Sequence, residues 1–354
     1  MRGRHFAILL LIMACGGPLP AVTSVASTPI AAVPSATGAS TTAVPSNTSS
    51  ASTTATSTTT TTPDRGSLVI HGVGDVNLDT SYIPALAERG FDWAWSGLEG
   101  LFLDDDLTVI NLECSPSPLG SPEPKEFVFR CPDGFSEMAA AGVDVANLAN
   151  NHSQDFGKEA LIDGRLRLLA AGIDTVGAGR HLRQANGFFP YLIDGWKIAV
   201  VGFGGIQPHA GWLATEAAAG MADGDDIDSM VAAVERAEAW ADWVVVTVHW
   251  GVELDLAPRP DDIERAQAMI AAGADAIFGH HPHRLQPLET IEGVPVAWSL
   301  GNFVWPNFSP AGSTTAVARV EISPQGELRA CLLPASIESP GHPVVSGERS
   351  CPRT

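Results

Sequence analysis

Short apolar runs in this chain end repeatedly at a carboxylate, an amide or an imidazole, and that repetition constrains the fold more than any other feature. The run over 67–74 delivers Asp75, and the run over 106–111 delivers Glu113. The run over 143–148 leads into Asn150-Asn151-His152-Ser153-Gln154-Asp155-Phe156-Gly157, and the apolar run over 243–248 into His249-Trp250-Gly251-Val252-Glu253. Two more, over 274–278 and 294–300, reach Gly279-His280-His281-Pro282-His283 and Gly301-Asn302-Phe303. Runs of this length bounded by turn residues are strands, and those apolar at nearly every position are buried on both faces. Stretches of helical pattern over 133–141, 158–171, 226–239 and 262–272 separate them, which predicts an α/β chain with βαβ order. Further strands are expected over 173–177, 189–193 and 197–202, the last two joined in a hairpin at Asp194-Gly195, and two more over 314–333.

In a parallel-rich sheet the carboxyl ends of the strands share one edge, and ligands bind in the crevice beyond it. His280, His281 and His283 are expected in the loop just past their strand, three of ten histidines within four residues, which is the density of a metal site. The His281-Pro282-His283 spacing sends two imidazoles to different sides of an extended turn, an arrangement suited to two adjacent metals. Asp75, Glu113, Asn151, His249, His281 and His283 are therefore expected to form one metal-centred cluster. Such a mixture of ligands suits Mn, Zn, Fe or Mg without separating them. His280, Asn302, Asn77 and Asp155 are expected around the ligands, where a donor or acceptor orients them. His181 and His209 lie in other loops and are read as bystanders.

Residues 1–17 read as an export signal, with Arg2 and Arg4 ahead of an apolar stretch too short to span a bilayer stably. Ile12-Met13-Ala14-Cys15-Gly16 resembles the lipobox of bacterial lipoproteins, which makes Cys15 the expected lipid anchor, with simple cleavage near Ala14 as the alternative. Residues 18–65 are dominated by Ser, Thr, Ala and Pro and cannot bury a core, the composition of a disordered stalk. A folded domain is expected over 66–340, followed by a tail over 341–354 that Cys351 ties down.

The formal net charge is −20, and it becomes −22 for the domain, 39 acidic residues against 17 basic ones, once the first 65 residues are set aside. Nucleic acid is excluded as a partner by that sign. An anionic substrate would need local cations, and bound metal ions supply them. Four cysteines follow Cys15, and export permits disulfides. Proximity in sequence suggests Cys114 with Cys131 and Cys331 with Cys351; zinc binding by the four thiolates is the alternative, and no C-x-x-C spacing supports it.

Taken together and in order, GDV at 74–76, NLE at 111–113, NNHSQDFG at 150–157, HWGVE at 249–253, GHHPH at 279–283 and SLGNF at 299–303 resemble the poly-γ-glutamate capsule biosynthesis protein family, the CapA type. That family is similar to the calcineurin-like metallophosphoesterases. The resemblance implies a sandwich of two mixed sheets flanked by helices, with a dinuclear metal centre at the strand ends. It places Asp75 as the first metal-binding aspartate, Glu113 as the bridging carboxylate, Asn151 and His152 as the Asn-His pair, His249 as the isolated ligand, and His281 and His283 as the closing pair. Asn77 stands where phosphoesterases carry a histidine, and Glu113 where they carry an aspartate; both departures weaken the step to ordinary phosphoesterase activity. The expected function is capsule biosynthesis or processing at the cell surface, with an anionic polymer such as poly-γ-glutamate and a membrane capsule-synthesis complex as partners. In an enzyme, His152 or Glu253 would move protons and Asn151 would hold an oxyanion. A non-catalytic polymer-binding or export subunit, and an extracytoplasmic metallophosphoesterase with a small substrate, are the alternatives.

Overall fold

A computed structural model of the protein describes residues 65–352. The signal expected over 1–17, Cys15 and all of the stalk expected over 18–65 except Arg65 lie outside the described residues. The chain first builds a larger sheet: β1 (Leu68–Val76), α1 (Pro84–Arg89), α2 (Asp92–Ser96), β2 (Leu107–Leu112), α3 (Phe135–Ala140), β3 (Val145–Asn147), α4 (Gly157–Ala170) and β4 (Asp174–Val176). After β5 (Ala178–Gly179) and α5 (Leu182–Ala185) come β6 (Phe189–Ile193), β7 (Trp196–Gly204), β8 (Gly220–Met221) and α6 (Ile227–Glu238). A second sheet is completed by β9 (Trp243–His249), α7 (Pro260–Ala271), β10 (Ala276–His280), β11 (Leu288–Ile291) and β12 (Val294–Ala297). The chain then returns to the first sheet with β13 (Asn302–Val304), α8 (Pro310–Ser313), β14 (Thr314–Ile322), β15 (Leu328–Ser339) and β16 (His342–Val345).

The larger sheet runs β16-β15-β14-β1-β2-β3-β4, with β13 also paired to β1, and the smaller runs β11-β12-β10-β9-β7-β6. Both are mixed, and apolar side chains from both, Leu68, Ile70, Val109, Ile198, Val245 and Phe278 among them, form the layer between. Helices α1 to α4 contribute to a second cluster with the larger sheet, and α6 and α7 to a third with the smaller. This is the two-sheet α/β sandwich the sequence resemblance implies. Close approach of the sheets depends on Gly72, where an added Cβ would lie 2.5 Å from the Phe278 ring.

Register then aligns the polar strand ends. Asp75 on β1 pairs with Asn302 on β13 and with Asn111 on β2, which pairs with Asn147 on β3. In the smaller sheet His249 on β9 pairs with Gly204 on β7 and with His280 on β10. At the other end of the strands, aspartates close the ladders: Asp106, Asp144, Asp242 and Asp275 accept the backbone N–H of Val69, Thr108, Lys197 and Val244 at 2.7–2.9 Å. Each lies just before a strand and satisfies the amide of the second residue of a neighbouring one.

Several expectations are corrected. His280 closes β10 instead of starting the loop, because pairing with β9 continues through Gly279 and His280. The run over 294–300 is not one strand: β12 ends at Ala297, the chain turns at Gly301 with φ 70°, and β13 joins the other sheet. Within the 341–354 tail, His342–Val345 is a strand paired with β15, since edge-strand backbone groups are satisfied by one more partner. Strand β11, joined to β12 through Glu292 and Gly293, and helices α1 and α2 were not legible in the periodicity. Disulfides join Cys114 to Cys131 and Cys331 to Cys351. No helix among the described residues is long and apolar enough to cross a membrane.

Candidate metal centre

Asp75, Glu113 and His249 are fully buried at the carboxyl ends of β1, β2 and β9. A buried carboxylate costs several kcal/mol unless something compensates it, so the compensation identifies the site. For Asp75 it is visible. The Asn111 amide donates to Oδ1 at 2.8 Å, the His281 backbone N–H reaches Oδ2 at 3.3 Å, and His283 Nδ1 lies 3.2 Å from Oδ2. Burial raises the Asp75 pKa, but the His283 hydrogen bond, the charges of His283 and His280, and Asn111 outweigh it and the net shift is downward.

Glu113 is different. Neither carboxylate oxygen has a hydrogen-bond partner, although both are buried. Burial first, and then the charge of Asp75, push its pKa well above the ordinary range. His249 Nε2 is 3.5 Å and His283 Nε2 is 3.9 Å from Glu113 Oε1, so imidazoles surround the carboxylate without bonding it.

Two three-residue groups share this glutamate: Glu113 with His249 and His281, and Glu113 with Asp75 and His283, each with one ligand atom per residue within 4.8 Å of the others. Asn151 joins the first, its Oδ1 lying 2.8 Å from His249 Nε2. Burial lowers the His249 pKa well below its usual value, helped by His281, His280, His283 and His152, and brings His281 down to about 3. Neutral imidazoles keep a lone pair for a metal. His281 Nδ1 is also buried without a partner. Orphaned carboxylate and imidazole atoms, all of types that bind borderline or hard divalent ions, fit divalent metal binding, with Glu113 common to both groups. Glu253, His281 and His283 form a third group nearer solvent, with Glu253 exposed.

The surrounding residues hold the set in place. Asn302 Oδ1 lies 2.8 Å from His283 Nδ1 while its Nδ2 donates to Gly312 O at 2.9 Å, which fixes the amide orientation and leaves His283 Nε2 facing Glu113. His280 is bonded through Nε2 to Thr247 Oγ1 at 3.0 Å, and its Nδ1 is 3.8 Å from Asp75 Oδ1. His152 Nδ1 lies 2.7 Å from Asp155 Oδ2. Asn77 shapes the turn after β1, accepting the Asp79 N–H at 2.8 Å, and its described contacts touch no member of the cluster. Among the described residues the His181 and His209 rings accept from the nearby backbone N–H groups of Gln184 and Gly211.

Three parts of the site lie outside the residues expected from the sequence. Asn111 donates to Asp75 and lies 3.1 Å from His249 Nδ1, joining the two sheets. Its Oδ1 accepts from Asn150 at 3.1 Å. Lys125, carried on the segment closed by the Cys114–Cys131 bridge, donates to Asn151 O, pairs with Asp155 and lies 3.2 Å from His152 Nδ1. Phe129 and Trp305 lie against His152 and His283, with ring centroids 4.3 and 4.7 Å apart. The asparagines ending successive apolar runs were a usable signal; the lysine was marked only by the cysteines bracketing it.

Residues 69–307 match the model of a protein family described as bacterial capsule synthesis protein PGA_cap. The chain belongs to this family. It is 34% identical over 240 residues to the PGA biosynthesis protein CapA of Bacillus subtilis, a match covering 66% of this chain and 62% of that one. It is 33% identical over 211 residues to the capsule biosynthesis protein CapA of Bacillus anthracis, covering 58% and 51%. The chain thus spans between half and two thirds of the length of these relatives. Among solved structures, the NAD nucleotidase of Haemophilus influenzae matches 77% of this chain and 51% of its own with a TM-score of 0.43 and 15% identity, too low to inform the site.

Proposed function

We propose that the protein is an extracytoplasmic, lipid-anchored hydrolase of capsule biosynthesis, acting on an anionic polymer of the poly-γ-glutamate type at a dinuclear metal centre. The observation that carries the reading is Glu113, a fully buried carboxylate with no protein partner, shared by two ligand groups. Family membership and relatives named for PGA and capsule biosynthesis support the polymer. The leader pattern ending at Cys15 supports the anchor, and two disulfides suit an oxidising compartment.

Asp75, Glu113 and His283 would hold one ion, and Glu113, Asn151, His249 and His281 the other. Divalent ions there would act as Lewis acids on the scissile group. His152, with Nδ1 engaged by Asp155, has its other ring nitrogen for moving a proton at the pocket wall, and Lys125 keeps the His-Asp pair in place. Exposed Glu253 would exchange protons with solvent at the mouth. Asn151, with Oδ1 turned to His249, has its Nδ2 to hold an oxyanion.

Elemental analysis of the purified protein, together with size analysis of poly-γ-glutamate after incubation, tests this. About two metal ions per chain and shortening of the polymer are expected. Metal with polymer binding but no cleavage would favour an export or tethering subunit in a membrane complex, and turnover of a chromogenic phosphoester a small-substrate phosphoesterase. A chain that takes up no metal would end the reading. Replacing Cys15 by Ser should release the protein from cells; an unmodified mature N-terminus beyond residue 15 would refute the anchor.

A further inference from the structure

The pocket beside the cluster has an unusual chemistry for a site that would meet a polyanion. Its volume is about 270 Å³, small for a ligand site, and Tyr82, Phe129, Trp305 and Phe308 line it together with Arg284. Three of the ring pairs meet edge to face, at 77° for Tyr82 with Trp305 and with Phe308 and at 86° for Phe129 with Trp305, while Tyr82 and Phe129 are tilted by 38°, so no two of these rings lie parallel. Such rings make an apolar wall better suited to aliphatic groups than to a planar base stacked between parallel faces. Phe308 is 76% exposed at the lining, a large ring that meets Tyr82 by its edge and leaves most of its surface in water.

Arg284 is the second anomaly. Its Nη1 donates to the backbone oxygen of His283 at 2.7 Å, and no carboxylate among the described residues pairs with it, in a chain of 40 acidic against 20 basic residues. A planar guanidinium with free donors is the side chain best shaped to hold a carboxylate. Glu253, the other charged side chain on the lining apart from the histidines, repels one.

A γ-linked glutamyl unit carries one carboxylate and a pair of main-chain methylenes, which are the two things this pocket is built to receive. A long internal stretch would bring a carboxylate with every unit into a domain of net charge −22, whereas outside the metal cluster the lining of this pocket offers one guanidinium, that of Arg284. We infer that the site engages the polymer at one terminal unit, with that unit's carboxylate on Arg284 and its methylenes against Trp305 and Phe308. This rests on the preceding identification of the polymer, and it makes the protein an end-trimming rather than a mid-chain enzyme.

Calorimetric titration of the full chain with γ-glutamyl dimer, tetramer and long polymer, at equal concentrations of chain ends, tests the inference. Affinity per chain end should not rise with length. Arg284→Gln should weaken binding at least about tenfold, the loss expected for one charge-assisted hydrogen bond. The amidated dimer should bind wild type as weakly as the dimer binds the variant. Phe308→Ala, at an exposed position, should weaken binding severalfold with an unchanged melting temperature. Affinity that grows with length, or that ignores Arg284→Gln, would overturn the terminal-unit mode while leaving the polymer reading intact. If no γ-glutamyl compound bound the wild type, both readings would fall, and Arg284-dependent binding of a nucleoside monophosphate in its place would assign the pocket to a phosphoester.

Discussion

Asp75 and Asn302 stand opposite each other across the parallel pair β1 and β13, and His283 Nδ1 lies between them, 3.2 Å from the carboxylate and 2.8 Å from the amide oxygen. The pairing brings a residue that follows the smaller sheet against the first strand of the larger one. It requires the backbones to touch, and Gly74 permits this: an added Cβ would lie 2.1 Å from Gly301 O. Gly74→Ala should therefore destabilise the fold by about 1–3 kcal/mol, the usual cost of overpacking, and also reduce metal content by parting Asp75 from Asn302. Retention of full metal content in a destabilised Gly74→Ala variant would show that the ligand geometry does not depend on this contact.

The cluster makes separable predictions for its members. His281→Ala and Asp75→Ala should each lower bound metal by about one ion, while His181→Ala, whose ring accepts the Gln184 N–H away from the cluster, should not. Glu113→Gln should act in opposite directions. It removes a buried carboxylate crowded by Asp75, so the metal-free protein should gain about 1 kcal/mol or more, whereas metal content should drop. Denaturation with and without chelator, alongside elemental analysis, reads both; a metal-free protein weakened by Glu113→Gln would contradict the assignment.

The two disulfides should cost similar stability but differ in function. Their sequence separations are 17 and 20, so loss of either should cost about 3 kcal/mol in the chain-entropy model. Cys114 directly follows Glu113, and the closed segment carries Lys125 to Asn151 O and Asp155. Replacing Cys114 and Cys131 by Ser should lower metal content as well as the melting temperature. Replacing Cys331 and Cys351 should lower only the latter, and equal metal loss in both would argue against a local role for the first bridge.

The strand-closing aspartates give the fold a pH dependence. Burial, opposed by one backbone hydrogen bond each, raises Asp144 and Asp275 from 3.8 to about 6. The folded state then holds more protons than the unfolded state between these values, so their contribution to stability falls as pH rises from about 4 to about 6 and stays lost above. Asp144→Asn and Asp275→Asn keep an acceptor for Thr108 and Val244 N–H but cannot ionise. Relative to wild type, both variants should gain stability across that window, followed as the denaturant midpoint against pH. A constant difference from pH 4 to 7 would exclude the titration.

The apolar runs of the sequence by themselves determined that polar residues would stand at strand ends, because burial and backbone period act locally and are written in neighbouring residues. Asp75, Glu113 and His249 were legible for that reason, as was the hairpin at Asp194-Gly195. The cysteine pairs followed from nearness along the chain. Which strand lies beside which is not local. The departure of β13 from β12 to pair with β1, the placement of Asn111 between Asp75 and His249, the reach of Lys125 to Asp155, and the gathering of Tyr82 with Trp305 around Arg284 were decided only when two sheets packed face to face. That packing turns on side-chain volumes far apart in sequence, such as the Phe278 ring against the bare backbone of Gly72, and no periodicity records it.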